Sequence, residues 1–374
     1  MNKNEVFMKR MNLLSLMAFV AFIFTSCAND DLEQISASKQ EVLSFGIRGI
    51  DNRGLEMTDS EMRSTGFGVF GFYTEQTEWT KSDIIPNYMY NQLVETNKMG
   101  WKYSPVKYWP SREGDKLTFF AYAPYEKSPV DGKEKGIALT GNDKTGAPLV
   151  TFTTKDAPSD MVDFVTAVIY DKTRTFSPGK TSSIDFEFIH ELSRFSFIAK
   201  NQTTDSFINI KNAKLSFGED CNIYKSALYS FPEKNETNGT WHYENGVKFK
   251  HDYELRGILN VSENNRIGEG KDCYNVNGIL IPYGQQADLF NGKYMFFIPA
   301  NGSEGSKIDA VSVTFEYDIV TPDTSVKNGY TSSSQVKTLS LPAGKFKQGV
   351  SYTLVFNLDG DFIELESNII SRSY

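Results

Sequence analysis

The feature that most constrains this chain is the spacing of its apolar residues, which recur at every second position in short runs rather than at every third or fourth. Such a run lays one face of a half-buried strand against a core. Leu43, Phe45 and Ile47 form the first run; Ile184, Phe186 and Phe188 alternate with Asp185 and Glu187, and Phe195 and Phe197 follow. Val311, Val313, Phe315 and Tyr317 alternate with Ser312, Thr314 and Glu316, and Tyr352, Leu354 and Phe356 with Ser351 and Thr353. Turn formers separate the runs, so the expected fold is all-β, built as antiparallel sandwiches. Helical spacing is confined to two short stretches, residues 56–63 and 84–93. Residues 126–148, 232–246 and 260–272 read as surface loops. No fixed-period repeat is visible, which argues against solenoids and propellers.

The chain has 374 residues, more than one ordinary core needs, and two domains of roughly 150–200 residues each are expected. The Ser-, Thr-, Pro- and Gly-rich stretch 174–183 marks the boundary, giving domains at 41–183 and 184–374. Aromatic residues make up 14% and charged residues 23%, enough core material and too little net charge for a disordered chain. The formal charge is −8. Without a clustered basic face the chain has no means of neutralising phosphates, so no nucleic-acid partner is expected.

At the N-terminus Lys3, Lys9 and Arg10 precede the apolar run Leu13 to Phe24, and Phe24-Thr25-Ser26-Cys27 follows. Such a run spans about 18 Å as a helix against roughly 30 Å of bilayer core, which favours a cleaved export signal over a permanent span. The Cys after small residues resembles the bacterial lipobox, with Phe24 standing where Leu is usual. On that resemblance residues 1–26 are a lipoprotein signal peptide and Cys27 is the lipid attachment site. Residues 27–40 are an acidic polar tether, and Ala28-Asn29-Asp30-Asp31-Leu32-Glu33 resembles the acidic signal that directs Bacteroidetes lipoproteins to the outer face of the outer membrane. Cys221 and Cys273 remain; in an oxidising exterior they pair, or they stay as buried thiols.

The candidate chemistry is thin. His190-Glu191-Leu192-Ser193-Arg194 opens like the zinc-protease helix motif but carries Arg194 where the second His must stand, and it lies between strand patterns. Gly66-Phe67-Gly68-Val69-Phe70-Gly71 has the letters of a dinucleotide fingerprint, yet a strand-to-loop sequence follows where a helix is required. No nucleophile elbow is present to join His242 or His251 to a Ser and an Asp. Asn357-Leu358-Asp359-Gly360-Asp361 reads as a tight turn rather than a calcium loop. Trp79, Trp101, Trp109 and Trp241 are read first as core or interface residues, with stacking on sugar rings as the competing role. No metal, cofactor or catalytic activity is expected.

Several motifs follow one another in a fixed order: Gly66-Phe67-Gly68-Val69-Phe70-Gly71-Phe72, Tyr103-Ser104-Pro105-Val106-Lys107-Tyr108-Trp109-Pro110 and Leu117-Thr118-Phe119-Phe120-Ala121-Tyr122-Ala123-Pro124-Tyr125. Met161-Val162-Asp163-Phe164, the stretch from Ile184 to Arg194, and Phe346-Lys347-Gln348-Gly349-Val350-Ser351-Tyr352-Thr353-Leu354 complete the series. The series resembles the fimbrillin family, the lipoprotein pilins of Bacteroidetes type V pili. The resemblance implies two transthyretin-like sandwich domains in tandem and a structural, non-enzymatic subunit. It implies an outer-membrane lipid-anchored precursor that becomes part of a cell-surface fimbrium, assembled head to tail with other pilin subunits, with adhesion to a host or glycan ligand as a further role. Stalk members of the family are cut after an Arg beyond the first strand, and a strand of another subunit fills the space. Mapped here, residues 41–47 are the first strand with Leu43, Phe45 and Ile47 inward, and Arg48, Arg53 and Arg63 are the processing candidates. Residues 361–370, with Ile363, Leu365, Ile369 and Ile370, are either the donor strand or the closing strand of the second domain. A surface glycan-binding lipoprotein is the competing reading.

Overall fold

A computed structural model of the protein describes residues 40–48, 59–80, 83–175, 182–250, 252–261, 266–268, 273–301, 304–305, 310–341, 344, 346–360, 362–366 and 370–373. The first elements are β1 (Ser44–Ile47), helix α1 (Asp59–Thr65), β2 (Phe67–Tyr73), β3 (Met89–Asn97), β4 (Gly100–Lys102) and β5 (Lys116–Ala123). After them come β6 (Ile137–Leu139), β7 (Leu149–Thr153), β8 (Val165–Thr173), β9 (Ser183–Phe186) and β10 (Ile189–His190). The later part supplies β11 (Ser193–Asn201), β12 (Phe207–Phe217), β13 (Tyr224–Ser230), β14 (Thr240–Lys248), β15 (Tyr253–Glu254), β16 (Arg266–Ile267) and β17 (Tyr274–Asn275). It continues through β18 (Ile279–Ile281), β19 (Gln286–Asp288), β20 (Met295–Phe297), β21 (Ala300–Asn301), β22 (Glu304–Gly305) and β23 (Val311–Pro322). The chain ends with β24 (Tyr330–Ser340), β25 (Val350–Asp359), β26 (Phe362–Leu365) and β27 (Ile370–Ser373). The all-β expectation holds.

The organising element is a six-stranded sheet in the order β10-β8-β5-β2-β3-β4. Its inner strands are apolar on both faces: Leu117, Phe119, Ala121 and Ala123 of β5 enter one core, whereas Phe120 and Tyr122 enter another. On β2, Phe67 and Val69 join the first core and Phe70 and Phe72 the second. A strand buried on both faces reads as a continuous apolar run, which is why the first half carries Phe67-Gly68-Val69-Phe70-Gly71-Phe72 and Leu117-Thr118-Phe119-Phe120-Ala121-Tyr122. One face is covered by the parallel pair β1–β9, the other by the four-stranded sheet β14-β13-β7-β6. A third core lies between the sheets β19-β11-β25-β26 and β15-β12-β23-β24 and is lined by Phe195, Phe197, Phe315 and Phe356 among others, and a small fourth cluster gathers Ile267, Tyr274, Val276 and Val320.

Alternation specifies a face but not a partner, and several expectations change accordingly. The β1–β9 and β11–β25 pairs are parallel, a relation that period two alone does not reveal. Residues 84–93 are not helical: Pro86 leads into β3, whose Met89, Asn91 and Val94 are buried where the strand pairs with β2. Residues 232–246 are not wholly loop, because Trp241 and Tyr243 are buried on β14 and alternate with His242 and Glu244. The turn formers Asn238, Gly239 and Gly246 hide that alternation. Likewise β6 lies within 126–148 and β16 within 260–272. The expected helix at 56–63 is found as α1, which is described from Asp59 and runs on to Thr65. Hydrogen bonding does not divide at residue 183, since β13 pairs with β7 and β10 with β8, and Val42–Tyr374 packs as one unit.

Two glycines of β2 and its approach have separate duties. Gly66 holds φ +70, and a Cβ on Gly68 would lie 2.3 Å from Tyr122 Cε1 and 2.8 Å from Asn91 Oδ1. The Tyr122 hydroxyl donates to that same Asn91 oxygen at 2.6 Å. Gly68→Ala is therefore expected to destabilise the protein by about 1–3 kcal/mol through overpacking and loss of this bond, measured as a shift in the urea midpoint.

Candidate assembly groove

The first run of alternating residues lies in a seat made by three segments. On β1, Phe45 pairs in register with Ile184 and Ile47 with Phe186 of β9. The chain before β1 is held from the other side, where Leu43 N donates to the Lys107 carbonyl at 2.9 Å and the Tyr103 hydroxyl to the Leu43 carbonyl at 2.7 Å. Beyond β1, Arg48 N donates to the Phe186 carbonyl at 2.8 Å. Leu43 is fully buried and Phe45 is 7% exposed, with Ile47 half-buried at the margin of the same core. The Phe45 ring lies 5.1 Å from that of Tyr103 and 5.7 Å from those of Phe119 and Phe186. Trp109, 1% exposed, and Phe67 complete the surrounding core. The Tyr103 to Trp109 motif thus clamps the first strand. In sequence it was legible as a Pro-containing aromatic motif, but not as this strand's partner.

The processing candidates occupy different surroundings. Arg48 is exposed and bridges Asp185 at 3.3 Å. Arg53 lies outside the described residues. Arg63 lies in the last turn of α1, its guanidinium 5.6 Å from the centre of the Trp101 ring and its carbonyl accepting from Thr96 Oγ1 at 3.0 Å. Around the Arg63–Ser64 bond, Ser64 and Thr65 hydroxyls bond the Glu61 carbonyl at 2.8 and 3.0 Å, Gly66 N bonds the Met62 carbonyl at 2.8 Å, and Met62 is fully buried. A protease needs extended substrate, so cleavage there requires this short helix to open first.

The C-terminal segment serves as an edge of its own sheet. Leu365 and Phe362 of β26 face Phe356 and Asp359 of β25, and β27 runs antiparallel along the other end of β25. Ile363 and Leu365 pack against the adjacent core. Ile369 lies outside the described residues, as does the side chain of Ile370. Cys221 and Cys273 are separate buried thiols rather than a bridge, and Cys27 lies outside the description. Trp79, Trp109 and Trp241 are at most 7% exposed, which answers the sugar-stacking role with core packing. His190 ends a strand, its Nδ1–H donating to Asp163 Oδ2 at 2.6 Å, with no helix at that position to present a zinc pair. Among the described residues no cluster of three or more His, Cys, Asp or Glu is placed to hold a metal, and no helix is long and apolar enough to cross a membrane.

A family model described as fimbrillin-like matches residues 56–371. This chain belongs to the fimbrillin-like family. Over 366 residues it is 29% identical to Fimbrium subunit Fim1C of Phocaeicola vulgatus, covering 94% of this chain and 93% of the other. The crystal structure of a fimbrial protein from Bacteroides vulgatus superposes with a TM-score of 0.71 at 28% identity, over 89% of this chain and 99% of that one. This fimbrillin-like chain therefore has the sandwich architecture of a fimbrial protein.

The seat sets measurable expectations. Phe45→Ala should cost about 3–5 kcal/mol and Leu43→Ala about 2–5 kcal/mol, as for other buried truncations. Val42→Ala, at a position 47% exposed, should stay within about 0.5 kcal/mol; equilibrium urea denaturation distinguishes them. Met62→Ala should loosen α1 and speed tryptic cleavage at Arg63 several-fold while leaving cleavage at Arg48 unchanged, as read by mass spectrometry of timed fragments.

Proposed function

We propose that this chain is a stalk or tip pilin of a cell-surface type V fimbria, exported as a lipoprotein through Cys27 and assembled by donor-strand insertion after its first strand is cut away. The observation that carries the reading is the seat of Leu43 and Phe45. A strand of four residues holds its sheet through one neighbour, β9, yet places a Leu and a Phe in the core of the central sheet. A cut after Arg48 or Arg53 severs β1 from α1 and β2, and a cut after Arg63, within α1, severs β1 from β2. Departure of residues 43–47 would uncover Tyr103, Phe119, Phe186 and an unpaired edge of β9, and a foreign strand with apolar residues at alternate positions covers both at once.

The segment carrying Ile363, Leu365, Ile369 and Ile370 is the donor in this scheme. It is the last strand added to its sheet and can leave β25 without disturbing the β11–β25 pair. Insertion of one subunit's edge into the next subunit's groove is heterologous, so it extends a filament rather than closing a ring. The tandem arrangement of two transthyretin-like domains belongs to the same reading, with β13 and β14 crossing over to the first. Burial of Trp79, Trp109 and Trp241 leaves only the half-buried Trp101 for the competing glycan-binding reading.

An Arg-specific protease added to the purified full chain should yield a ladder of oligomers that survives mild heating in detergent. Arg63→Ala should remain monomeric. A ladder persisting in that variant would move the cut to Arg48 or Arg53, and a wild-type chain that is cut at Arg63 yet stays monomeric would overturn donor-strand assembly.

A further inference from the structure

Two motifs more than 150 residues apart in sequence, His190 to Arg194 and Phe346 to Val350, meet at one buried carboxyl group. Glu191 is fully buried. Its Oε1 accepts from Thr166 Oγ1 of β8 at 2.5 Å and its Oε2 from Gln348 Nε2, in the segment leading to β25. Its backbone N donates to the Phe164 carbonyl at 2.9 Å, and its carbonyl accepts from Trp241 Nε1 of β14 at 3.1 Å. Thr166 Oγ1 lies 3.0 Å from the Tyr229 hydroxyl of β13. Beside it, Gly349 N donates to the Leu192 carbonyl at 3.0 Å and Ser193 Oγ to the Lys347 carbonyl at 2.8 Å. One side chain thus joins the central sheet, the sheet that covers it and the sandwich beyond.

The hydroxyl chain can serve either protonation state without moving a heavy atom. With Glu191 ionised, Thr166 donates to Oε1 and Tyr229 to Thr166. With Glu191 protonated, its own O–H donates to Thr166 Oγ1, and the Thr166 O–H turns to Tyr229. Gln348 donates to Oε2 in both. Both states keep their hydrogen bonds and differ in one buried negative charge.

We propose that Glu191 is a proton-operated clasp between the two parts of the chain, tightened when the side chain takes up a proton and loosened when it loses it. The groups around it are His190 and Arg194 on its own segment, Asp163 entering β8 and bonded to His190 Nδ1, and Tyr229 on β13. Lys347 offers its carbonyl and points its side chain outward, and Trp241 on β14 is neutral. Burial pushes the Glu191 pKa up to about 7 from the ordinary 4.5; the bond from Thr166 and the nearby His190 oppose that rise, and Asp163 adds to it. From pH 4.5 to 7 the folded chain therefore keeps a proton that the unfolded chain has lost, so this contribution to stability falls as pH rises through that window and is constant above it.

The test compares urea unfolding of the full chain with its Glu191→Gln variant, which keeps the hydrogen-bonding shape without the charge. Between pH 4.5 and 8 the wild-type unfolding constant should rise on the order of a hundredfold more than that of Glu191→Gln. Amide exchange at Gly349, corrected for the intrinsic rate, should quicken across the same range in the wild type alone. Gln348→Met, which removes a donor to the carboxylate, should move the wild-type transition to higher pH. Equal pH profiles for wild type and Glu191→Gln would place the titration elsewhere, His190 included, and overturn the proposal, as would an unmoved midpoint in Gln348→Met.

Discussion

A sheet with two apolar faces has to be covered twice, and the rest of this structure follows from how that is done. The inner strands β2, β5 and β8 send odd-numbered residues into one core and even-numbered residues into another. A broad sheet that includes strands from the second half of the chain covers the even face. The odd face depends on a much smaller cover, a parallel pair of four-residue strands with the loop 103–109 closing beside it. That inequality concentrates exchangeability in one place. Loss of an inner strand of the four-stranded cover, β7 or β13, would break two ladders at once, whereas loss of β1 breaks only its own pairing with β9.

The junction between the parts obeys a different rule. Where two apolar cores adjoin, the chain places Asp163, His190, Glu191 and Arg194, each at most 8% exposed. Such groups gain little net stability by being paired in a low dielectric, and they cost several kcal/mol if left without partners. What they provide is position. A carboxyl that must receive Thr166 and Gln348 together tolerates less sliding between sheets than an apolar contact of similar area. The Gly349–Leu192 and Ser193–Lys347 bonds extend the same constraint along β11 and β25, the parallel pair that begins the second sandwich.

Much of this was legible in the sequence, in proportion to how local the cause was. Leu43, Phe45 and Ile47 announced a strand face because alternation is a property of neighbouring residues. The continuous run Leu117 to Ala123 stood out in the sequence only as a family-like motif; its burial on both faces came from the fold. Pairing was not legible: that β1 would lie parallel to β9, or that Trp241 and Tyr243 would cover the first half of the chain, depends on contacts made after collapse. Residues 84–93 were misread as helical because a strand's irregular edge, starting at Pro86, can mimic helical spacing over one turn. Arg63 was visible as a residue type and a position; its place inside a hydrogen-bonded turn anchored by Met62 was not. The motif His190 to Arg194 was read as strand rather than a zinc helix, and the chain there runs from β10 into β11, but its meeting with Gln348 could come only from the fold.

The small cover also sets the energetic terms of exchange. Burying Leu43 and Phe45 is worth about 2–3 kcal/mol each, and whole-protein margins are about 5–15 kcal/mol. A cover of this size is therefore a large part of the margin. The intact chain has reason to keep it, and a chain deprived of it has reason to accept a replacement. In the proposed assembly, a strand much longer than β1 would make the cover costlier to remove, and one without Phe45 would leave less apolar surface for a replacement strand to bury. The short α1 turn over the Arg63–Ser64 bond is held by Met62 and three hydrogen bonds within the turn, few enough contacts that, under the proposed processing, local opening at this bond is expected to cost less than global unfolding.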